Sequence, residues 1–437
     1  MAHSDHGMVR GIRGAYFPLK LSVAYILVTL LLSVIGPIVY FSGAYKKYLS
    51  VLYVGAVLIF MSAGYLFGLH IKSNNPVYVN TDYGKEKIKK LLKLSQNIAF
   101  ISIGLEFIYL LITGKFSLNL SNVGATYVNI DRAGSANIII IFRFCTAFFR
   151  TAAVALGFYY YKDSTSLVKK KTIICAIGIF AIYLFGYGTQ SGIGYIFIEL
   201  LVAISANMIR SGSKLSRKTI RKIIIIGLAI LFLFAFMQYM RYSLMGINAR
   251  NYHLHSTGEY GFNTNHLIFK IFGEDLGFGL SSILGGYMSL GYYGLSLCLQ
   301  EPFKWTYGIG NSYALMQLLS KFGIKGVLEN TYLLRMQAHF GRNGLTAWNT
   351  IFPWLASDLT WVGTLFMFFI IGATLAYTWK DILLHRNAFS FLLFTMLMIL
   401  VFFIPANNAI VHGYDNLMST IFIVVGWLLL RKRYMYE

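Results

Sequence analysis

Long apolar blocks separated by short polar gaps run through most of the chain. Ten of them read as membrane-spanning helices: residues 21–40, 51–71, 94–112, 138–159, 173–187, 193–209, 223–240, 359–377, 389–404 and 417–430. A span needs about 20 apolar residues to cross about 30 Å of hydrocarbon, so the shorter blocks mark the middle of a span better than its ends. The pattern predicts an all-α polytopic membrane bundle. Residues 1–240 carry spans 1–7, and residues 359–437 carry spans 8–10. The 118 residues between them, 241–358, are less apolar and rich in Gly, Tyr, Asn and His. Within this segment, residues 278–299 form an apolar stretch broken by glycine, which suits a re-entrant or interfacial helix. Residues 311–322 and 329–340 have apolar positions at spacings of three and four, the signature of short amphipathic helices.

Composition narrows the class. The chain is 57% apolar and 12% charged, whereas soluble domains average about 45–50% and about 25%. That excludes an ordinary cytosolic enzyme, and the high hydrophobicity excludes a disordered chain. Three cysteines exclude a disulfide scaffold and offer no zinc-type spacing. The first apolar block is too long for a cleavable signal peptide and lacks a small-residue cleavage site, so it is expected to stay as a span.

The net charge of +22 would suggest nucleic acid on a soluble protein. Its distribution gives a different reading. With the N-terminus inside, 24 of the 38 basic residues fall in the inner gaps and termini, and only Lys46, Lys47, Lys115 and Arg132 in the short outer gaps. This asymmetry follows the positive-inside rule. It predicts ten spans with both termini in the cytoplasm and the 241–358 segment outside, and it accounts for the charge without a nucleic-acid partner. A chain whose one sizeable polar segment lies outside is expected to work at that face, on lipid-linked substrates, as a transporter, or as a receptor.

Three groups of residues carry candidate chemistry. Arg143 and Arg150 lie in span 4, two helical turns apart and so on one face. Glu106 in span 3 and Glu199 in span 6 sit at an outer-half depth similar to that of Arg143. These four residues read either as an ion pair between spans or as a basic notch for a phosphate-bearing ligand. With two acids against two bases, one arginine can be paired and the other left for a ligand. The second group follows span 7: Arg241, Arg250, His253, His255 and Glu259. Arginine can clamp a pyrophosphate and a neutral histidine can accept a hydroxyl proton, or the stretch is an ordinary solvated loop. His253 and His255 lack a third metal ligand at a convincing spacing, so no metal site is expected. The third group is Arg335, Gly341-Arg342, Trp348-Asn349-Thr350 and Asp358, leading into Trp361. Asp358 reads as a helix cap or as a base at the lip of a cavity, and Trp361 as an interface anchor. Tyr287, Tyr292, Tyr293, Tyr307 and Tyr313 suit sugar stacking or plain packing. The sequence contains no phosphate-cradling glycine loop, nucleophile elbow or metalloprotease motif, and none of Cys145, Cys175 and Cys298 looks catalytic.

The stretches Gly285–Tyr293 (GGYMSLGYY), Tyr307–Asn311 (YGIGN), Ala347–Thr350 (AWNT) and Ser357–Gly363 (SDLTWVG) resemble the Wzy-type oligosaccharide repeat-unit polymerases of bacterial O-antigen and capsule pathways. The motif resemblance covers about residues 285–363, and the topology resemblance covers most of the chain. It implies a membrane glycosyltransferase fold in the bacterial inner membrane. It also implies an enzyme that moves a growing glycan from undecaprenyl pyrophosphate onto a new lipid-linked repeat unit. No nucleotide sugar, cofactor or metal is implied. The donor and acceptor lipids are the expected partners, with a chain-length regulator as a further candidate. Arg250 and Gly261 match an arginine–ten–glycine spacing found in some members. On this resemblance Arg250, His255 and Asp358 are the catalytic candidates. Arg143, Arg150, Arg241, Arg335, Arg342, Tyr287, Trp348 and Asn349 are the pyrophosphate- and sugar-binding candidates. Two departures stand out. The turn between spans 5 and 6 reads Gly188–Gly194 (GTQSGIG) without the arginine common there, and the lead-in to span 8 has Leu359 and Thr360 where Phe and Gly are common. The arginines of span 4 are expected to supply the missing charge. Related readings are an O-antigen ligase and a flippase of lipid-linked sugars, although no internal repeat of the kind flippases carry is visible.

Overall fold

The structure is a computed structural model describing residues 14–71, 81–118, 138–212, 217–256 and 259–436. Arg10, Arg13, Lys72, Arg132 and Lys214 of the charge count lie outside the described residues, as do the side chains of Lys218 and Lys222.

Each of the ten apolar blocks lies on a helix. In chain order the helices are α1 (Phe17–Ile35), α2 (Lys47–His70), α3 (Thr81–Ile112), α4 (Ile138–Tyr159), α5 (Ser166–Ala181), α6 (Ser191–Arg210) and α7 (Arg217–Leu244). Then come α8 (Tyr252–His255), α9 (Leu267–Ser281), α10 (Leu290–Cys298), α11 (Tyr313–Lys321), α12 (Val327–Asn330) and α13 (Tyr332–Phe340). The chain closes with α14 (Phe352–His385), α15 (Ala388–Phe403), α16 (Ala409–His412) and α17 (Tyr414–Leu430). Among the described residues, eight helices are long and apolar enough to cross a bilayer: α1–α4, α6, α7, α14 and the α17 region. The expected fifth and ninth spans fall on shorter helices. The 16 residues of α5 run on into a π-helical turn, Ile182–Gly186, and α15 also has 16 residues. At about 1.5 Å per residue, 16 residues cover about 24 Å. The bundle exposes rows of large apolar side chains, such as Leu27, Val28, Leu31 and Ile35 on α1 and Ile224, Ile225, Ile226 and Leu228 on α7. A surface this apolar belongs against lipid, and the chain is a polytopic helical membrane protein.

Several boundaries differ from the sequence pattern for local reasons. Span 1 was expected to reach residue 40, but Gly36-Pro37 ends the helix at Ile35. Ile38–Tyr40 then forms a short strand, β1, paired antiparallel with β2 (Tyr260–Phe262), with Tyr40 opposite Tyr260 and Ile38 opposite Phe262. The bundle is therefore not purely α. Span 8 begins at Phe352 rather than 359, because Pro353 suits a first helical turn. The helix breaks at Thr360, whose φ is 65° and ψ 170°. A β-branched residue reaches this conformation only under strain.

The helices of 1–240 and 359–437 share one large core that includes Tyr65, Leu156, Phe352, Phe368 and Trp379. The 241–358 segment builds a second core around Tyr252, Phe278, Tyr293, Leu333 and Met336. α10 joins the two, since Tyr292 belongs to the first and Tyr293 to the second. The stretch expected to be re-entrant is α9, a π-helical turn and α10, with α10 wholly buried and packed on α2. α11 and α13 match the two predicted amphipathic helices. Ser312 and Thr331 cap them by accepting the Leu315 and Leu334 backbone N–H groups.

The most extensive helix pairing among the described residues is α2 with α14. A side chain at Gly64 or Gly68 would run into the Phe369 or Ala373 carbonyl, and one at Gly372 into the Met61 carbonyl. Gly64 and Gly68 are four apart, the small-residue spacing that lets membrane helices touch backbone to backbone.

Candidate functional site

The turn that links α5 to α6 organises the polar interior. It can fold tightly because Gly188 takes φ 60°, open to glycine without penalty. The Thr189 N–H donates back to the Tyr183 carbonyl at 2.9 Å.

On one side of this turn lies a charged cluster. Arg143 donates through Nη1 to Glu106 Oε1 at 2.9 Å and to the Tyr187 hydroxyl at 2.7 Å, and through Nε to Asp415 at 3.2 Å. Arg150 donates to Glu106 Oε2 at 2.5 Å. Tyr187 itself donates to Glu106 Oε1 at 2.5 Å. Both arginines do share a face, as expected. The expected division into one paired and one free arginine is corrected: both are paired, through Glu106, and Asp415 supplies the second carboxylate. Glu199 stands apart from both pairs. A basic notch is therefore not what these arginines form, because Glu106 and Asp415 already neutralise two positive charges. Isolated carboxylates and guanidiniums are costly away from water, so mutual pairing is the favoured arrangement.

On the other side of the turn, Arg241 at the end of α7 donates through Nη2 to the Gly188 carbonyl at 3.0 Å and is buried. Gln238, one turn earlier, donates to the Tyr287 hydroxyl at 2.6 Å and to Gln190 Oε1 at 3.3 Å. Tyr287 packs on Trp348 with ring centroids 5.0 Å apart. Tyr187 and Gly188 thus tie the two groups together through adjacent residues. Guanidinium groups reach this turn from two helices, Arg241 on the Gly188 carbonyl and Arg143 on the Tyr187 hydroxyl.

The other candidates separate. Arg342 is fully buried, donating to Asn349 Oδ1 at 2.9 Å, the Trp348 carbonyl at 2.7 Å and Glu259 Oε2 at 3.1 Å, with its guanidinium 4.9 Å from the Tyr293 ring. Asn349 Nδ2 closes the loop onto the Gly344 and Ala347 carbonyls. Burial pushes the Glu259 carboxyl above its usual range while Arg342 pulls it back. Arg335 is buried too, donating to the Pro302 carbonyl at 2.5 Å and the Asn330 carbonyl at 3.1 Å. These two arginines brace the 241–358 segment through the carbonyl, amide and carboxylate oxygens they meet.

Asp358 accepts four hydrogen bonds: Thr306 Oγ1 at 2.5 Å, Gly310 N–H at 3.1 Å, and the Asn311 N–H and side-chain amide, each at 2.8 Å. It lies inside α14 and does not cap it. A carboxylate so fully engaged holds the 306–311 turn. That turn displays an exposed aromatic pair, Trp305 and Tyr307, with centroids 5.0 Å apart. Arg250 is exposed and pairs with Glu274 at 3.0 Å. His255 is exposed beside Tyr242 and Tyr252. Tyr292 and Tyr293 are core residues, and Trp361 is packed between Tyr53 and Tyr332. Cys298 is buried against Met336.

Sequence reasoning missed Asp415, Tyr187, Gln238 and Trp305, and also His412. The imidazole of His412 stacks on Tyr313 and meets the edge of Trp354. Burial lowers its pKa to about 4, so the ring is neutral. Asp415, an acid at the head of an apolar run, was the one signal available. Among the described residues no three His, Cys, Asp or Glu side chains converge as metal ligands.

A scan against protein-family models finds no match, and no curated protein and no solved structure is significantly similar to the chain.

Proposed function

We propose that the chain is a glycosyltransferase of the inner membrane that polymerises undecaprenyl-pyrophosphate-linked repeat units into O-antigen or capsular polysaccharide. The observation that supports this reading is the meeting of sequence-distant polar groups at the Gly188 turn: Arg241 on its carbonyl, with Gln190, Gln238, Tyr287 and Trp348 around it. A guanidinium beside hydroxyl, amide and aromatic groups suits a pyrophosphate with an attached sugar. The periplasmic segment adds Trp305 and Tyr307 as an exposed stacking surface.

In this reading the acceptor hydroxyl attacks the donor's anomeric carbon. The bond from that carbon to the pyrophosphate breaks, and Arg241 stabilises the charge that develops on the leaving group. His255, exposed at the same face, takes the hydroxyl proton, and Asp358 positions the aromatic turn. A single displacement inverts the anomeric centre. A second reading, a carrier of lipid-linked sugars, is favoured by one observation, the charged cluster among α3, α4 and α17.

Gene deletion in the host followed by gel analysis of the surface glycan separates these. A ladder that collapses to core plus a single repeat supports the polymerase. Loss of glycan from the core with polymer left on the carrier lipid indicates the ligase. Single units trapped on the inner leaflet indicate the carrier. An unchanged ladder removes the glycan reading. Complementation with Arg241→Gln should leave protein level normal and the ladder collapsed.

A further inference from the structure

Three carboxylates and two guanidinium groups lie within the bundle around α4, α6 and α17. Glu106 and Asp415 are used up by Arg143 and Arg150. The third, Glu199 on α6, is 5% exposed and has no hydrogen-bonding or ionic partner among the described residues. It lines an open cleft between α4, α5, α6 and α17. The other polar groups on the wall are Arg150, Thr151, Tyr183, Tyr195, Asp415 and Asn416.

The cluster is therefore one positive charge short, and the deficit faces a cavity. A bare carboxylate in such surroundings is strongly disfavoured unless a countercharge reaches it. The neutral wall offers oxygens. The Asn416 amide donates to the Tyr195 hydroxyl at 3.0 Å and to the Ala409 carbonyl at 2.7 Å, which leaves its Oδ1 as the acceptor end. Thr151 Oγ1 lies 3.1 Å from Ser419 Oγ. Hard oxygen donors with a single unneutralised carboxylate suit a monovalent ion better than a divalent one, and the nearby Arg150 guanidinium adds to that preference.

We propose that this cleft binds a single positive charge on Glu199, as an alkali-metal ion among the wall oxygens or as a proton on the carboxylate. The groups that face it are Arg150 and, behind it, Arg143 from α4, Glu106 from α3, Tyr183 from the end of α5, Tyr195 on α6 and Asp415 on α17. α15 brings no ionisable side chain to α6. α14 brings Lys380, Asp381 and His385 near the opposite end, where Arg210 reaches the Leu383 carbonyl at 3.4 Å. The proposal does not depend on the glycosyltransferase reading.

The test is thermal unfolding of the full chain in nanodiscs, followed by tryptophan fluorescence. Sodium, potassium and choline chlorides are compared at constant ionic strength, from acid to neutral pH. A Tm that rises with the logarithm of sodium or potassium but not of choline, and no longer does so in Glu199→Gln, identifies an alkali-metal ion. A Tm indifferent to the salt but with a pH step that Glu199→Gln removes identifies a proton. A wild-type Tm flat in both, or responses identical in wild type and Glu199→Gln, overturns the proposal. Should Glu199→Gln fail to fold, Asn416→Ala takes its place: it raises the half-saturating alkali concentration if an ion binds. If a proton binds instead, infrared difference spectra of the wild type show a carboxylic-acid carbonyl band. Absence of both signals overturns the proposal.

Discussion

Replacing Arg342 with methionine keeps the packing of the side-chain stem and removes only the guanidinium. Three acceptors lose their donor at once: Asn349 Oδ1, the Trp348 carbonyl and Glu259 Oε2. Taking one partner from a buried, hydrogen-bonded ion pair costs about 3–5 kcal/mol. The Glu259 side chain is 12% exposed and can take up a proton, which places the expected loss near the lower end, about 3 kcal/mol. For a chain of this size that is a fall in Tm of about 6 °C, at roughly 2 °C per kcal/mol. Adding Glu259→Gln should recover part of the loss, with a coupling of about 2 kcal/mol in the double-mutant cycle. The pH dependence has a definite sign. The Glu259 carboxyl is raised in the folded state, so its contribution is present below the ordinary carboxylate range and is lost as pH rises through the folded value. Without the guanidinium it is raised further, so the Arg342→Met penalty should shrink in acid and grow toward neutrality. The assay is fluorescence-detected unfolding of purified protein in detergent. A loss below about 1 kcal/mol, or strictly additive single variants, would refute the clamp and return Arg342 to the ligand-binding candidates.

Three further outcomes follow from the geometry. Thr360→Gly should raise stability by about 1 kcal/mol, because it relieves a β-branched residue at φ 65°; an equal or lower Tm would mean that Thr360 is not strained. The pKa of His412 is depressed to about 4, so its contribution is present above the unfolded value of about 6.5 and is lost as pH falls toward 4. His412→Gln should therefore flatten the loss of Tm between those pH values, by about 2 kcal/mol after discounting the partial exposure of the ring, and an unchanged slope would exclude it. Gly68→Leu should prevent α2 and α14 from closing, read as loss of monodisperse protein on size exclusion, whereas Gly55→Leu, where a side chain meets nothing within 4 Å, should behave as wild type.

The sequence by itself determined the class of the protein. Burying 57% apolar residues with few charges leaves a lipid-solvated helical bundle as the stable outcome, and apolar runs locate its helices because each span satisfies its own backbone. The amphipathic helices α11 and α13 and the glycine-broken stretch before α10 were legible for the same local reason. Helix ends were less so: Gly36-Pro37 carried a visible stop signal, but Ile38–Tyr40 became a strand only because Tyr260–Phe262 lies beside it. The site was the least legible part. Arg143 and Arg150 announced themselves as charges in an apolar run, yet their partners, Glu106 and Asp415, come from two other helices. Which of two acids an arginine meets depends on helix rotation and packing, and a periodicity does not encode that. Arg342, Arg335 and Asp358 looked like site residues because polar groups near a membrane boundary suit either role. Only the tertiary structure showed them bonded to carbonyls, amides and a carboxylate inside the segment. It also brought Arg241 to the Gly188 turn and left Glu199 facing a cleft. Both rest on contacts between residues far apart in the chain, where the low dielectric of the interior makes each pairing, or its absence, count.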